Sequence, residues 1–147
     1  MTLDNLLTIH KLARQTPDKG AIAKLLRAAE RNLMDARLEQ LSPDSRFDVA
    51  YKAIMQCAMM ALWAKGYRTA TSQPGHHQTA IQTLPKTLGP DQQTTILLDA
   101  LRKQRKAGDY EGDPVSEKAL ATCLEEAAKL LKRTRQWLLA EHPELAA

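Results

Sequence analysis

Aromatic residues make up only 4% of this 147-residue chain, which also has only 6 Gly. A β-sandwich or barrel needs aromatic and β-branched strands punctuated by turn glycines, so both architectures are excluded. The two cysteines, Cys57 and Cys123, are too few for a disulfide framework. Each falls inside a helix-like pattern with no metal-ligand spacing around it, and both are read as reduced core thiols. Long hydrophobic runs are also missing. The longest strictly apolar stretch, Cys57 to Ala64, is far short of the roughly 20 residues that a membrane-spanning helix needs. The N-terminus lacks a basic region followed by an apolar stretch. The expectation is a soluble, cytoplasmic protein with no membrane role. Charge of one sign is not dominant either, because 21 Lys and Arg face 17 Asp and Glu for a net +4. That excess permits a phosphate-bearing partner without demanding one. There is no repeat of fixed period, no low-complexity tract, no glycine-rich phosphate loop after a strand, and no Ser, His and acid motif for acyl transfer.

What remains is a chain dominated by Leu, Ala, Lys, Arg, Glu and Gln, of a length that suits one domain over residues 1–147. Leu3, Leu6, Leu7 and His10 have helical spacing, and Thr16 to Gly20 then breaks the pattern, giving a short leading helix within 1–15. From Ala21 to about Leu41, Ile22, Leu25, Leu26, Ala29, Leu33 and Ala36 recur on one face of an amphipathic helix. Ser42-Pro43-Asp44 supplies an N-cap, a proline at the first helical position and an acid at the positive helix end. The helix it opens carries apolar rows through Phe47, Tyr51, Ile54, Ala58 and Ala61, and through Val49, Ala53, Met60 and Trp63. Only Asp48, Lys52 and Gln56 form a polar stripe, so this helix is expected to be central and most buried, stopping at Gly66.

Tyr67 to Gly75 has no period and reads as a loop, and His76 to Leu84 as a short helix. Gln92 to Lys106 forms the next helix, buried through Ile96, Leu97, Ala100 and Leu101 and ending near Gly108. A last helix starts near Asp113-Pro114 or Ser116 and ends at His142-Pro143. It buries Leu120, Cys123, Leu124, Ala127, Leu130, Leu131, Thr134 and Trp137. Lys129, Lys132, Arg133 and Arg135 near its end complement the helix dipole and are expected to be solvated. The fold class is all-α, a compact antiparallel bundle of four to five helices over residues 20–140.

Chemistry concentrates in two short segments. If the helix through Arg102 continues to Asp109, then Leu98, Arg102, Arg105 and Asp109 share a face at spacings of four, three and four. Two guanidinium groups then converge on one anion, with phosphate the natural guest. The plainer alternative is an i, i+4 salt bridge from Asp109 to Arg105 that steadies the helix end. His76 and His77 are the only adjacent pair able to titrate near neutral pH. His77 falls on the apolar side of its helix and is read as a packing residue, leaving His76 as the better proton-transfer candidate. Two consecutive histidines with no carboxylate or cysteine at helical spacing make a poor tetrahedral ligand set, so neither metal nor cofactor is expected. Tyr51 and Trp63 could stack on bases but are read as core.

Three constellations carry a resemblance: Ser42 to Phe47 with Asp48 and Tyr51; Gly75-His76-His77; and Leu101 to Tyr110. With the Ala58 to Tyr67 stretch ending in Lys65-Gly66-Tyr67-Arg68, they make the chain similar to the HEPN superfamily from about Gly20 to Trp137. These are small helical proteins often encoded beside minimal nucleotidyltransferases. The resemblance implies a helical bundle, commonly a homodimer, whose paired faces form a cleft for RNA or nucleotide. It also implies metal-independent ribonuclease activity in a toxin-antitoxin or defence setting. Active members have an arginine followed after four to six residues by a histidine, with a tyrosine often just beyond. Arg105 and Tyr110 match, whereas Asp109 stands near the histidine position and Lys106 replaces the usual polar amide. An ionised aspartate cannot donate a proton near pH 7.

The resemblance therefore points to Arg102 and Arg105 as the phosphate clamp, with Lys103 and Lys106 adding charge, Tyr110 positioning or stacking, and His76 replacing the missing acid or base beside Asp109. The rival reading is a catalytically inactive dimerisation and partner-binding module. A helix-turn-helix DNA-binding protein has no support in the helix spacing.

Overall fold

A computed structural model describes residues 2–71 and 75–146, and it is all-α apart from one small two-stranded ribbon. The elements are α1 (Leu3–Thr8), β1 (Leu12–Arg14), α2 (Lys19–Ala36), α3 (Pro43–Ala64), β2 (Tyr67–Thr69), α4 (His76–Thr83) with a 3₁₀ turn at Leu84–Lys86, α5 (Gln92–Glu111) and α6 (Glu117–Glu141). No helix among the described residues is long and apolar enough to cross a membrane.

Central burial of α3 follows from its composition. Phe47, Ala50, Ala53, Ile54, Cys57, Ala58, Met60, Ala61 and Leu62 are each no more than 1% exposed. α2 packs on one side of α3 and α6 on another, while α4 and α5 cover its remaining flank. Small residues at 50, 53, 57, 58 and 61 let neighbouring backbones approach, and each buried aliphatic side chain contributes about 1.5–3 kcal/mol by leaving water. Ser42 caps α3 by accepting from the Ser45 amide at 3.2 Å. Gln56, expected on the polar stripe, is instead buried and accepts from Asn32 Nδ2 at 2.8 Å, because α2 lies over that position.

Further expectations are corrected. The leading helix stops at Thr8, and Leu12–Arg14 pairs antiparallel with Tyr67–Thr69, a segment expected to be loop. Three-residue strands carry no readable period, and this pair exists only because distant segments meet over a small cluster of Leu6, Leu12, Leu62 and Tyr67. Residues 72–74 of that expected loop lie outside the described residues. α2 ends at Ala36 rather than near Leu41, because Arg46 of α3 donates to the Ala36 carbonyl at 2.8 Å, and Leu38 and Leu41 beyond it remain exposed. α5 runs past Gly108, which is helical, and stops at Gly112, whose φ of 73° only glycine adopts freely. Its inward stripe is also shifted. Leu98 and Leu101 are buried, Ile96 is 61% exposed and Ala100 is exposed. Apolar residues at 96, 97 and 98 point in three directions, and the positions of the other helices select the one that faces inward.

α6 begins after the Ser116 cap, one of the two starts expected. Of its expected stripe, Leu120, Cys123, Ala127, Leu130, Leu131 and Thr134 are buried and Leu124 and Trp137 half-buried. Two long-range bonds fix the frame around α5. Asp44 accepts from the Val115 amide at 2.8 Å, tying the start of α3 to the α5–α6 connection. Arg133 donates to the carbonyls of Leu88 and Gly89, each at 2.8 Å, tying α6 to the turn before α5.

Candidate phosphate-binding cleft

The end of α5 lies beside the start of α4 and the middle of α3, and a cleft of about 290 Å³ opens between them. From α5 it is lined by Arg102, Arg105, Lys106, Asp109 and Tyr110, from α4 by His76, His77 and Gln78, and from α3 by Tyr51. Residues 51, 76–78 and 102–110 are thus brought to one place from three helices. Gly75, with φ 76°, turns the chain so that both histidines follow directly at the cleft wall. Continuation of α5 through Gly108 puts Arg102, Arg105 and Asp109 on one face above Leu98, which anchors that face at 1% exposure.

Arg105 stands at the centre of this arrangement. Its Nε is 3.9 Å from Asp48 Oδ1 and one terminal nitrogen is 3.6 Å from Asp109 Oδ2. Its guanidinium carbon lies 5.3 Å from the centroid of the Tyr51 ring, within cation–π range. Both carboxylate contacts are long for charge-assisted hydrogen bonds, and a guanidinium carries five N–H donors, so Arg105 retains donors for an anion. Arg102 is held more firmly, donating from Nε to Asp99 Oδ1 at 2.8 Å. That bond holds the Asp99 carboxyl below the ordinary carboxylate range. The fork is therefore two guanidinium groups pre-set by acids.

Lys106 lines the cleft, whereas Lys103, a site candidate, does not. It reaches back one turn to Asp99 Oδ2 at 3.6 Å, the carboxylate that also holds Arg102, and remains 70% exposed. Tyr110 is at the rim and 82% exposed. Arg102, Arg105 and Lys106 face one lining carboxylate, Asp109, while Asp48 and Asp99 brace the two guanidinium groups, so three cations are matched by three acids and what the cleft offers an anion is N–H donors rather than net charge.

His76 and His77 meet edge to face with centroids 4.7 Å apart. His77 Nδ1 is 3.4 Å from the Tyr51 hydroxyl. Burial, then His76, Arg105 and Arg102, push the His77 pKa below 6.5, so this ring is neutral at pH 7. Burial also pushes Tyr51 up to about 12, keeping its hydroxyl protonated. In the tautomer with its proton on Nε2, His77 accepts from that hydroxyl through Nδ1. Sequence reasoning treated Tyr51 as core. The side chain is 2% exposed, yet it also forms the cleft floor. Asp48, read as part of a polar stripe and of the first resemblance constellation but given no role at the site, is the other residue missed. Its pKa is raised by burial and then by Asp109, against the pull of Arg105. The i, i+3 spacing of Asp48 and Tyr51 was the signal available for both.

A second basic cluster stands on α6. A groove of about 480 Å³ beside the start of α5 is lined by Lys129, Lys132 and Arg133. Arg133 is committed to two carbonyls and Lys129 to Glu125 at 2.9 Å, while Arg135 pairs with Glu30 at 3.2 Å. The cleft at Arg105 differs in setting its paired arginines beside two histidines.

Compared with models of known protein families and with curated proteins, the chain matches none.

Proposed function

We propose that the protein is an HEPN-like ribonuclease or RNA-binding protein that holds a phosphate of RNA or a nucleotide between Arg102 and Arg105. The observation that carries this reading is the convergence of both arginines and Lys106 of α5 and the His76–His77 pair of α4 on one cleft floored by Tyr51 of α3. Two planar guanidinium groups suit a phosphate because each can donate two parallel N–H bonds to its oxygens.

In the proposed reaction a ribose 2′-hydroxyl attacks the adjacent phosphorus and the bond to the 5′-oxygen breaks. His76 carries the proton from the first oxygen towards the second. Arg102 and Arg105 stabilise the extra negative charge of the pentavalent transition state, and Tyr110 stacks at the rim. His76 is assigned the proton because His77 Nδ1 is occupied by the Tyr51 hydroxyl. No metal enters this scheme. The resemblance adds a homodimer, a nucleotidyltransferase partner and a toxin-antitoxin or defence setting to the proposal.

Incubation of RNA with the protein in excess chelator tests it. Wild type should cut, and both Arg105→Ala and His76→Ala should lose cutting. A second reading, a dimerisation and binding module that does not cut, is favoured by Asp109 standing near the motif histidine and pairing with Arg105. It prevails if wild type binds RNA but never cuts it. If wild type binds no RNA and Arg105→Ala melts much earlier, the arginine is structural and both readings fail.

A further inference from the structure

The cleft does not end at Tyr51. On the other side of that ring and of Arg105 it continues into a groove of about 500 Å³ between α2 and α3, walled by Leu25, Val49, Met55 and Met59. Tyr51, His77 and Arg105 line both spaces, so cleft and groove adjoin across these three side chains, cationic on one side and apolar on the other. Asp48, Lys52 and Gln56 stand along the edge of the apolar part.

We propose that this groove seats the base of the nucleotide whose phosphate occupies the cleft, making the ligand an unpaired nucleobase carried on a phosphate. The inference rests on the phosphate reading of the cleft and adds the substrate class. The apolar walls adjoin Arg105, so the occupant joins an apolar body to an anion over a short distance, as a nucleotide does across its sugar. Met59, half-buried in the wall, offers a polarisable thioether to the flat face of a base, with the half-buried Leu25 and Val49 beside it. The rim offers a carboxylate, an ammonium and an amide. Because Gln56 Oε1 already accepts from Asn32, the Gln56 amide keeps its N–H donors for a ligand. An acyl chain would leave these groups unused, whereas the edge of a base pairs with them. A duplex is excluded by the same geometry, since its bases present neither a free face nor a free pairing edge.

Binding of four probes to the intact protein tests this: inorganic phosphate, a mononucleotide, a short single-stranded RNA and the same strand with one abasic position. Base-bearing single strands should bind at least about fivefold more tightly than the abasic strand, the gain expected from stacking one base, and duplex RNA more weakly than either. Met59→Glu should abolish that gain while leaving inorganic phosphate binding unchanged, and Met59→Leu should retain it. A mononucleotide that binds as well as the strand assigns the site to free nucleotides, and a clear preference for the strand assigns it to RNA. Both outcomes support the base groove. Equal binding of abasic and base-bearing strands by wild type overturns it without recourse to any variant, as does a change in molecular mass with Met59→Glu that shows a second copy covering the groove. Absence of phosphate binding by wild type, together with no effect of Arg105→Ala, would instead overturn the phosphate reading itself.

Discussion

The contact between α3 and α6 and the cleft between α4 and α5 share the same central helix, yet they are built from opposite materials. Along the first, Phe47, Ile54, Cys57, Cys123, Ala127 and Leu131 are all at most 2% exposed. Even the thiols are absorbed there. Cys123 lies 3.8 Å from the Phe47 carbonyl, and burial pushes both cysteines up to about 12, which leaves them protonated and unreactive at neutral pH. Along the second, Asp48, Asp99, Arg102, Arg105 and Asp109 pair with one another at half-exposed positions. Apolar burial stabilises the fold in proportion to the area removed from water, whereas half-exposed ion pairs contribute little and are screened by salt. The apolar contact therefore accounts for folding, and the cleft is free to carry a ligand.

The sharpest way to break this contrast is Ile54→Ala. Ile54 is 1% exposed in the main core, and its truncation should destabilise the protein by about 2–5 kcal/mol through lost transfer energy and a residual cavity. Urea unfolding with an unchanged slope and a lower midpoint would show it, and an unshifted midpoint would mean that this face does not lie in the core. Arg105→Ala is the opposite case. With its side chain 35% exposed, its loss should alter stability by no more than about 1 kcal/mol while weakening phosphate and RNA binding severely. Thermal melting and a binding titration, run on the same sample, should part company.

The smallest effect concerns pH. His77 has a folded pKa below its ordinary 6.5, so its neutral form stabilises the fold fully above that value, and this contribution is lost as pH falls through the folded pKa. Asp48 runs the other way. Its raised pKa means that its contribution is fully present below 3.8 and is lost as pH rises through the folded value, so ionised Asp48 weighs slightly against stability at neutral pH. For an anionic ligand the two act together, because lowering pH adds charge at His77 and removes the carboxylate that competes for Arg105. Affinity for a phosphodiester, whose own charge is constant over this range, should rise as pH falls from 6.5. Asp48→Asn should strengthen binding at pH 7 and make that rise smaller. A flat profile in wild type would detach both residues from the site.

Much of this could be read from residue order because it depends on local geometry. The Ser42-Pro43 start of α3, the stripe of α6 and the burial of Cys57 and Cys123 follow from capping and from apolar spacing that repeats over five or more turns. The face joining Leu98, Arg102, Arg105 and Asp109 was equally legible, since it requires only that α5 continue. Where three apolar residues stand in a row, as at Ile96 to Leu98, spacing does not choose among faces, and the inward one was misplaced. The β1–β2 ribbon, the early end of α2 and the burial of Gln56 depend on partners 10 to 57 residues away and left no local mark.

By itself, then, the sequence determined an all-α chain with a central α3 and a basic, acid-braced end of α5, because caps, period and composition act within a few residues. Only the tertiary structure decided that His76 and His77 would stand beside Arg105, that Tyr51 would be both core and cleft floor, and that Asp48 would compete for the central guanidinium. Those juxtapositions arise where α3, α4 and α5 pack together, and packing depends on the simultaneous burial of several faces, which no single segment encodes.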